Sequence, residues 1–198
     1  HFGHRPDHDF QGGEDVYARC VALVEAINNL SFTPDLIVHT GDVAFDPFED
    51  AYALAEQTLS QLKAPVYYAT GNHDDAAMMQ RSLSFGEMTP LLDGNDEVLC
   101  YQIGGKAAAF GEFFVLDAKI DPEVGAHGYL ADDQIDAVLG AISGTRPVAL
   151  FLHFPLTRIG SDWIDRHLLV ENGEDVHARL IEAAGDHLRG VFFGHLHR

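Results

Sequence analysis

Apolar residues along this chain follow two alternating patterns, one with a helical period and one of short unbroken runs. Over residues 14–30, Val16, Cys20, Leu23, Val24, Ile27 and Leu30 recur at helical spacing, which predicts an amphipathic helix. The same period predicts helices over 48–62, 132–142 and 174–184. Short apolar runs at 36–38, 66–69, 148–152 and 190–193 predict buried strands. Residues 97–103 and 113–116 also read as strands, with Gly104-Gly105 as a hairpin turn between them. Residues 162–173 show no period and read as loop. No repeat, charge block or linker interrupts the series, so one α/β domain over 1–198 is expected, with helices on both faces of a mixed sheet.

Four of these strands stop at residues able to bind a metal. They are Asp42 after Gly41, Asn72 and His73 after Gly71, His153, and His195 with His197 after Gly194. In open α/β sheets, sites form in the crevice outside the carboxyl ends of strands, so residues far apart in sequence converge there. Glycine before Asp42, Asn72 and His195 permits a sharp turn and close backbone approach. In an extended turn His195 and His197 point to the same side, with Leu196 pointing away. Imidazole, carboxylate and amide oxygen without thiolate suit zinc, manganese or iron. A carboxylate such as Asp42 has two oxygens and can bridge two ions, which in such sites lie roughly 3.5–4 Å apart. Each residue alone has an ordinary reading. Asp42 and Asn72 suit turns, His153 suits a strand-end core position, and His195 with His197 resembles the remnant of a tag.

Charge sharpens this reading. The 198 residues include 12 Lys+Arg and 31 Asp+Glu, giving a net charge of −19. That argues against a basic patch for long nucleic acid or for an anionic membrane surface. An anionic substrate is repelled unless cations sit in the site, and two divalent ions supply about +4 there. The two cysteines, Cys20 and Cys100, make no disulfide framework and fit a cytoplasmic location. The longest apolar runs, such as 147–154, are far shorter than the roughly 20 residues that span a bilayer. The chain opens on His1 rather than Met, so its natural N-terminus is expected to lie outside it.

The other polar residues have plainer assignments. His4, His8, His127, His167, His177 and His187 read as solvated surface, and His39 as a hydrogen-bonded core residue. Asp132-Asp133 suits a helix N-terminus, as do Asp74 and Asp75, although Asp74 is also placed to orient the ring of His73.

The ordered series Gly41-Asp42, Gly71-Asn72-His73-Asp74, His153-Phe154-Pro155 and Gly194-His195-Leu196-His197 resembles the calcineurin-like metallophosphoesterases. That family begins with an Asp-x-His motif, and His1 stands where its histidine falls, with the aspartate before this sequence. The resemblance implies a sandwich of mixed β-sheets flanked by helices in four layers, α/β/β/α. It implies one ion bound by the preceding aspartate, His1, Asp42 and His197, and a second by Asp42, Asn72, His153 and His195. His73 is then a non-ligand that hydrogen-bonds phosphate and protonates the leaving group. Gly71-Asn72-His73-Asp74-Asp75, Trp163-Ile164-Asp165 and Glu171-Asn172-Gly173 resemble the bacterial class III cyclic-nucleotide phosphodiesterases and the related glycerophosphodiesterases. Many relatives carry a second histidine where this chain has Phe154.

The function implied is a two-metal phosphodiesterase (Mn, Fe or Zn) that cleaves small phosphodiesters with a hydroxide held between the ions. Two alternatives stand beside it. One is a phosphomonoesterase or nucleotide phosphatase at the same site. The other is a non-catalytic, protein-binding scaffold of the same fold. Homo-oligomer formation is left open.

Overall fold

A computed structural model describes residues 1–3, 16–92, 94–121 and 125–196. The predicted alternation is present. Helix α1 (Val16–Asn28) leads to β1 (Ile37–His39), α2 (Glu49–Leu59) and β2 (Val66–Tyr68). Next come α3 (Ala76–Ser82), β3 (Met88–Pro90), β4 (Tyr101–Ile103) and β5 (Glu112–Val115). The chain continues through α4 (Asp132–Ala141), β6 (Val148–Phe151), the one-turn α5 (Ile164–His167), α6 (Gly173–Ala184) and β7 (Leu188–Phe192).

These strands form two sheets. β1 and β2 pair in parallel, and Phe2 bridges Ala44 alongside them. The second sheet is mixed, in the order β3-β4-β5-β6-β7, with β5, β6 and β7 parallel and β3 and β4 antiparallel. Alternation along β5 shows why the sheets stack. Val115 joins a core shared with β2, α1, α2 and α3, whereas Phe114 joins a second core shared with β6, α4 and α6. Between the sheets, the Tyr101 hydroxyl donates to the Tyr68 carbonyl and accepts from the Tyr68 N–H, both at 2.9 Å. The result is two sheets face to face with helices outside each, the layering the resemblance implies.

Two expectations are corrected and two elements are added. Gly104-Gly105 is not a tight hairpin turn, because β4 and β5 are joined by residues 104–111, which include a 3₁₀ turn at Ala107–Ala109. β3 and α3 were not expected, and residues 162–173 contain the single turn α5 rather than loop alone. The acidic residues behave as helix-start residues: Asp132 and Asp133 lie in the first turn of α4, and Asp75 caps α3 by accepting from Met78 N at 2.7 Å. In both sheets the parallel strands end on a common side, and their last residues run directly into the loops that carry Asp42, Asn72, His153 and His195.

Candidate metal centre

Backbone geometry puts the four strand-end loops in contact. Gly41 has φ +94, and a Cβ there would lie 2.7 Å from His153 Nδ1 and 2.8 Å from Gly71 N. At Gly71 a Cβ would fall 2.1 Å from Asp42 Oδ1. Only a residue without a side chain allows this approach. Asp42 and His195 are the non-glycine residues with positive φ among those described, at 57° and 65°. Side chains rarely adopt this conformation, and it persists where the surroundings over-determine it, commonly at functional sites.

His153, 1% exposed, is the hub. Its Nδ1 lies 2.8 Å from the Thr40 carbonyl oxygen, so Nδ1 carries the proton and donates. The Nε2 lone pair then faces Asp42 Oδ2 at 3.2 Å, Asn72 Oδ1 at 3.2 Å and His195 Nδ1 at 3.0 Å. Ligand atoms of Asp42, His153 and His195 all lie within 4.8 Å of one another. His1 Nε2 approaches the same Asp42 Oδ2 at 3.1 Å. Electron-rich atoms packed at this spacing repel one another unless a cation sits among them. Two ligands at 90° around an ion with bonds of about 2.1 Å stand roughly 3.0 Å apart, so the spacing fits a first-row divalent ion. Burial alone pushes the Asp42 carboxyl up. The His73 N–H, donating to Asp42 Oδ1 at 3.1 Å, opposes this and favours the charged carboxylate.

His73 stands beside the cluster rather than in it. Its Nδ1 is 2.7 Å from the Phe45 carbonyl oxygen, and its ring stacks on Phe45 with centroids 5.1 Å apart. The structure therefore gathers Asp42, Asn72, His153, His195 and His1, with His73 adjacent, whereas His197 lies outside the described residues.

Two expectations about neighbouring residues change. Asp74 does not orient the His73 ring, because its carboxylate turns away to the N–H groups of Val43, Ala44 and Gly71. His39 lies in β1 with its buried Nδ1 lacking a hydrogen-bond partner among the described residues, and burial pushes its pKa down. His127 pairs with Glu171 at 3.6 Å, while His4 and His8 lie outside the described residues.

Several supporting groups were not legible in the sequence. The carbonyls of Thr40 and Phe45 fix two imidazoles, and a backbone carbonyl carries no residue-type signal. Phe154 packs edge-on to His153 (centroids 5.1 Å) and against His195 (4.7 Å). Asn172 clamps Leu130, donating to its carbonyl at 2.8 Å and accepting its N–H at 3.1 Å, so it braces the segment that leads into α4.

Comparison with known proteins agrees with this geometry. The glycerophosphodiester phosphodiesterase GpdQ of Enterobacter lignolyticus is 29% identical over 195 residues, covering 96% of this chain and 66% of that protein. The 3',5'-cyclic adenosine monophosphate phosphodiesterase CpdA of Pseudomonas aeruginosa is 32% identical over 188 residues, covering 94% and 62%. CpdA of Escherichia coli K12 is 26% identical over 196 residues, covering 96% and 64%. This chain thus spans slightly less than two thirds of the length of these relatives. The sequence profile described as calcineurin-like phosphoesterase matches residues 4–198, nearly the whole chain. The cluster of Asp42, Asn72, His153 and His195 therefore sits in a chain that belongs to the calcineurin-like phosphoesterase family.

Proposed function

We propose that this protein is a metal-dependent phosphodiesterase acting on small diesters, either cyclic nucleotides or glycerophosphodiesters. The observation that carries the reading is the convergence of Asp42 Oδ2, Asn72 Oδ1 and His195 Nδ1 on the His153 Nε2 lone pair. Support for diester substrates comes from the relatives, whose names are those of glycerophosphodiester and cyclic-nucleotide phosphodiesterases. The catalytic unit proposed is a single domain over 1–198.

Each residue has a defined part. Asp42, placed between His1 and His153, would be the carboxylate shared by the ligand sets of two ions (Mn, Fe or Zn). Asn72, His153 and His195 would complete one ion's ligands, and His1 with His197 would contribute to the other. Bound there, the ions supply Lewis-acid activation of water and offset charge on the phosphoryl oxygens. Thr40 holds His153 in the tautomer that presents Nε2 as a ligand. His73 keeps Nδ1–H on Phe45; as an imidazolium it would carry a second proton on Nε2, which would donate to a phosphoryl oxygen and pass to the departing alkoxide, leaving the neutral ring.

The net charge of −19 is compatible with a small substrate drawn to local cations and disfavours long nucleic acid. Among the described residues no helix is long and apolar enough to cross a membrane, and Cys20 and Cys100 are free thiols, in keeping with the proposed cytoplasmic location.

The test is hydrolysis by the intact protein with Mn²⁺. The substrates are cyclic nucleotides, glycerophosphodiesters, bis-p-nitrophenyl phosphate and the monoester p-nitrophenyl phosphate. Faster turnover of diesters is expected. Preference for the monoester makes the protein a phosphomonoesterase, and no turnover of any substrate makes it a non-catalytic scaffold.

A further inference from the structure

We propose that Asp74 is the positioning residue that pre-forms the metal cluster, by joining the loop that carries Asp42 to the loop that carries Asn72 and His73. The inference rests on the reading of Asp42 and Asn72 as metal ligands.

The Asp74 side chain is fully buried. Oδ2 accepts from Val43 N at 3.1 Å and Gly71 N at 3.0 Å. Oδ1 accepts from Ala44 N at 3.0 Å and from the Tyr52 hydroxyl at 3.3 Å. Hydrogen bonds to an ionised carboxylate are roughly twice as strong as neutral ones, and these four occupy its acceptor sites without any donor from His73. Val43 and Ala44 directly follow Asp42, whose backbone is left-handed at φ 57. Holding the next two amides is what keeps Asp42 in a conformation that aspartate otherwise adopts rarely. Gly71 directly precedes Asn72, so the same carboxylate fixes the entry to the second ligand loop.

The strut is reciprocal. Asp42 Oδ1 accepts the His73 N–H from the β2 loop at 3.1 Å, while Asp74 takes its N–H groups from the β1 loop. Two further elements brace it. Tyr52 on α2 donates to Asp74 and accepts from Asp75 N at 2.8 Å. The Lys119 ammonium, from the loop after β5, donates to the Asp74 carbonyl. One buried residue thereby links the loops after β1, β2 and β5. The backbones of both loops are thereby ordered without an ion to fold them, so a cation has only the mutual repulsion of the converging side-chain atoms left to offset.

Two measurements test this. In the metal-free intact protein, the Val43, Ala44 and Gly71 amides are expected to resist hydrogen exchange as strongly as core strand amides. Rapid exchange that slows only when Mn²⁺ is added overturns the proposal. The second is Mn²⁺ affinity by calorimetry for Asp74→Asn, which preserves shape but turns a donor toward a backbone N–H. A 10- to 100-fold loss is expected. Leu180→Ala, in the other core, is the reference for lost stability and is expected to keep Mn²⁺ affinity within about 2-fold. Unchanged affinity in Asp74→Asn, or an equal loss in Leu180→Ala, overturns the assignment. If the unaltered protein binds no Mn²⁺, the metal reading itself fails, and amide exchange still decides whether Asp74 joins the loops.

Discussion

The Phe45 carbonyl oxygen sits 2.7 Å from Nδ1 of His73, and the two rings stack with centroids 5.1 Å apart. This pair holds the imidazole at the edge of the cluster of Asp42, Asn72, His153 and His195, and the proposed function makes it a proton donor rather than a metal ligand. His73→Ala is therefore expected to lower kcat by about 10²- to 10⁴-fold while leaving Mn²⁺ affinity within a few-fold of the unaltered protein. Steady-state kinetics with parallel metal titration decides it. An equal loss of metal binding makes His73 a ligand.

Gly71 and Gly140 make opposite predictions for the same change. A Cβ on Gly71 would overlap Asp42 N at 2.2 Å and Asp42 Oδ1 at 2.1 Å. Gly71→Ala is expected to destabilise by more than about 2 kcal/mol and to weaken Mn²⁺ binding sharply. A Cβ on Gly140, near the end of α4, meets nothing within 4 Å, and Gly140→Ala is expected to stabilise by roughly 0.5–1 kcal/mol. Urea midpoints measure both.

Phe154, 1% exposed, is packed against His153 and His195, so its removal acts on the fold and on these two proposed ligands together. Phe154→Ala is expected to cost about 3–5 kcal/mol, a fall in Tm on the order of 10 °C, and to weaken Mn²⁺ binding. Unchanged metal affinity at the lowered Tm shows that the two histidines hold their geometry without this ring.

Burial pushes the Asp117 carboxyl up to about 6, against the N–H groups of Leu99 and Lys119 that favour the charged form. A carboxyl whose folded pKa is raised binds more protons folded than unfolded, so stability falls as pH rises through that window. The penalty is absent below the ordinary carboxylate range and complete just above pH 6, on the order of 3 kcal/mol. Asp117→Asn is expected to flatten the change in Tm between pH 4 and 6.5. An unaltered slope assigns the pH dependence to other groups.

What the sequence made legible follows from the range of each interaction. α2 and α6 are long enough for their apolar period to register, and each strand-end ligand was marked by residue type plus the glycine before Asp42, Asn72 and His195. α3 spans only seven residues, too short for a period, and its one local signal was the cap at Asp75. β3 is a three-residue edge strand ending in Pro90, with little apolar alternation to read. Asp74 was misjudged because adjacency suggested His73 as its partner, whereas its partners Val43 and Ala44 lie about thirty residues earlier in the chain. His39 was expected to find a hydrogen bond, and its buried Nδ1 has none among the described residues.

The most direct test strips the intact protein with a chelator and follows bis-p-nitrophenyl phosphate hydrolysis during titration with Mn²⁺. Hydrolysis is predicted to be absent without metal, to rise with added Mn²⁺ and to saturate near two ions per chain, with His153→Ala inactive throughout. Full activity in the stripped protein, or no hydrolysis at any Mn²⁺ concentration, contradicts the account.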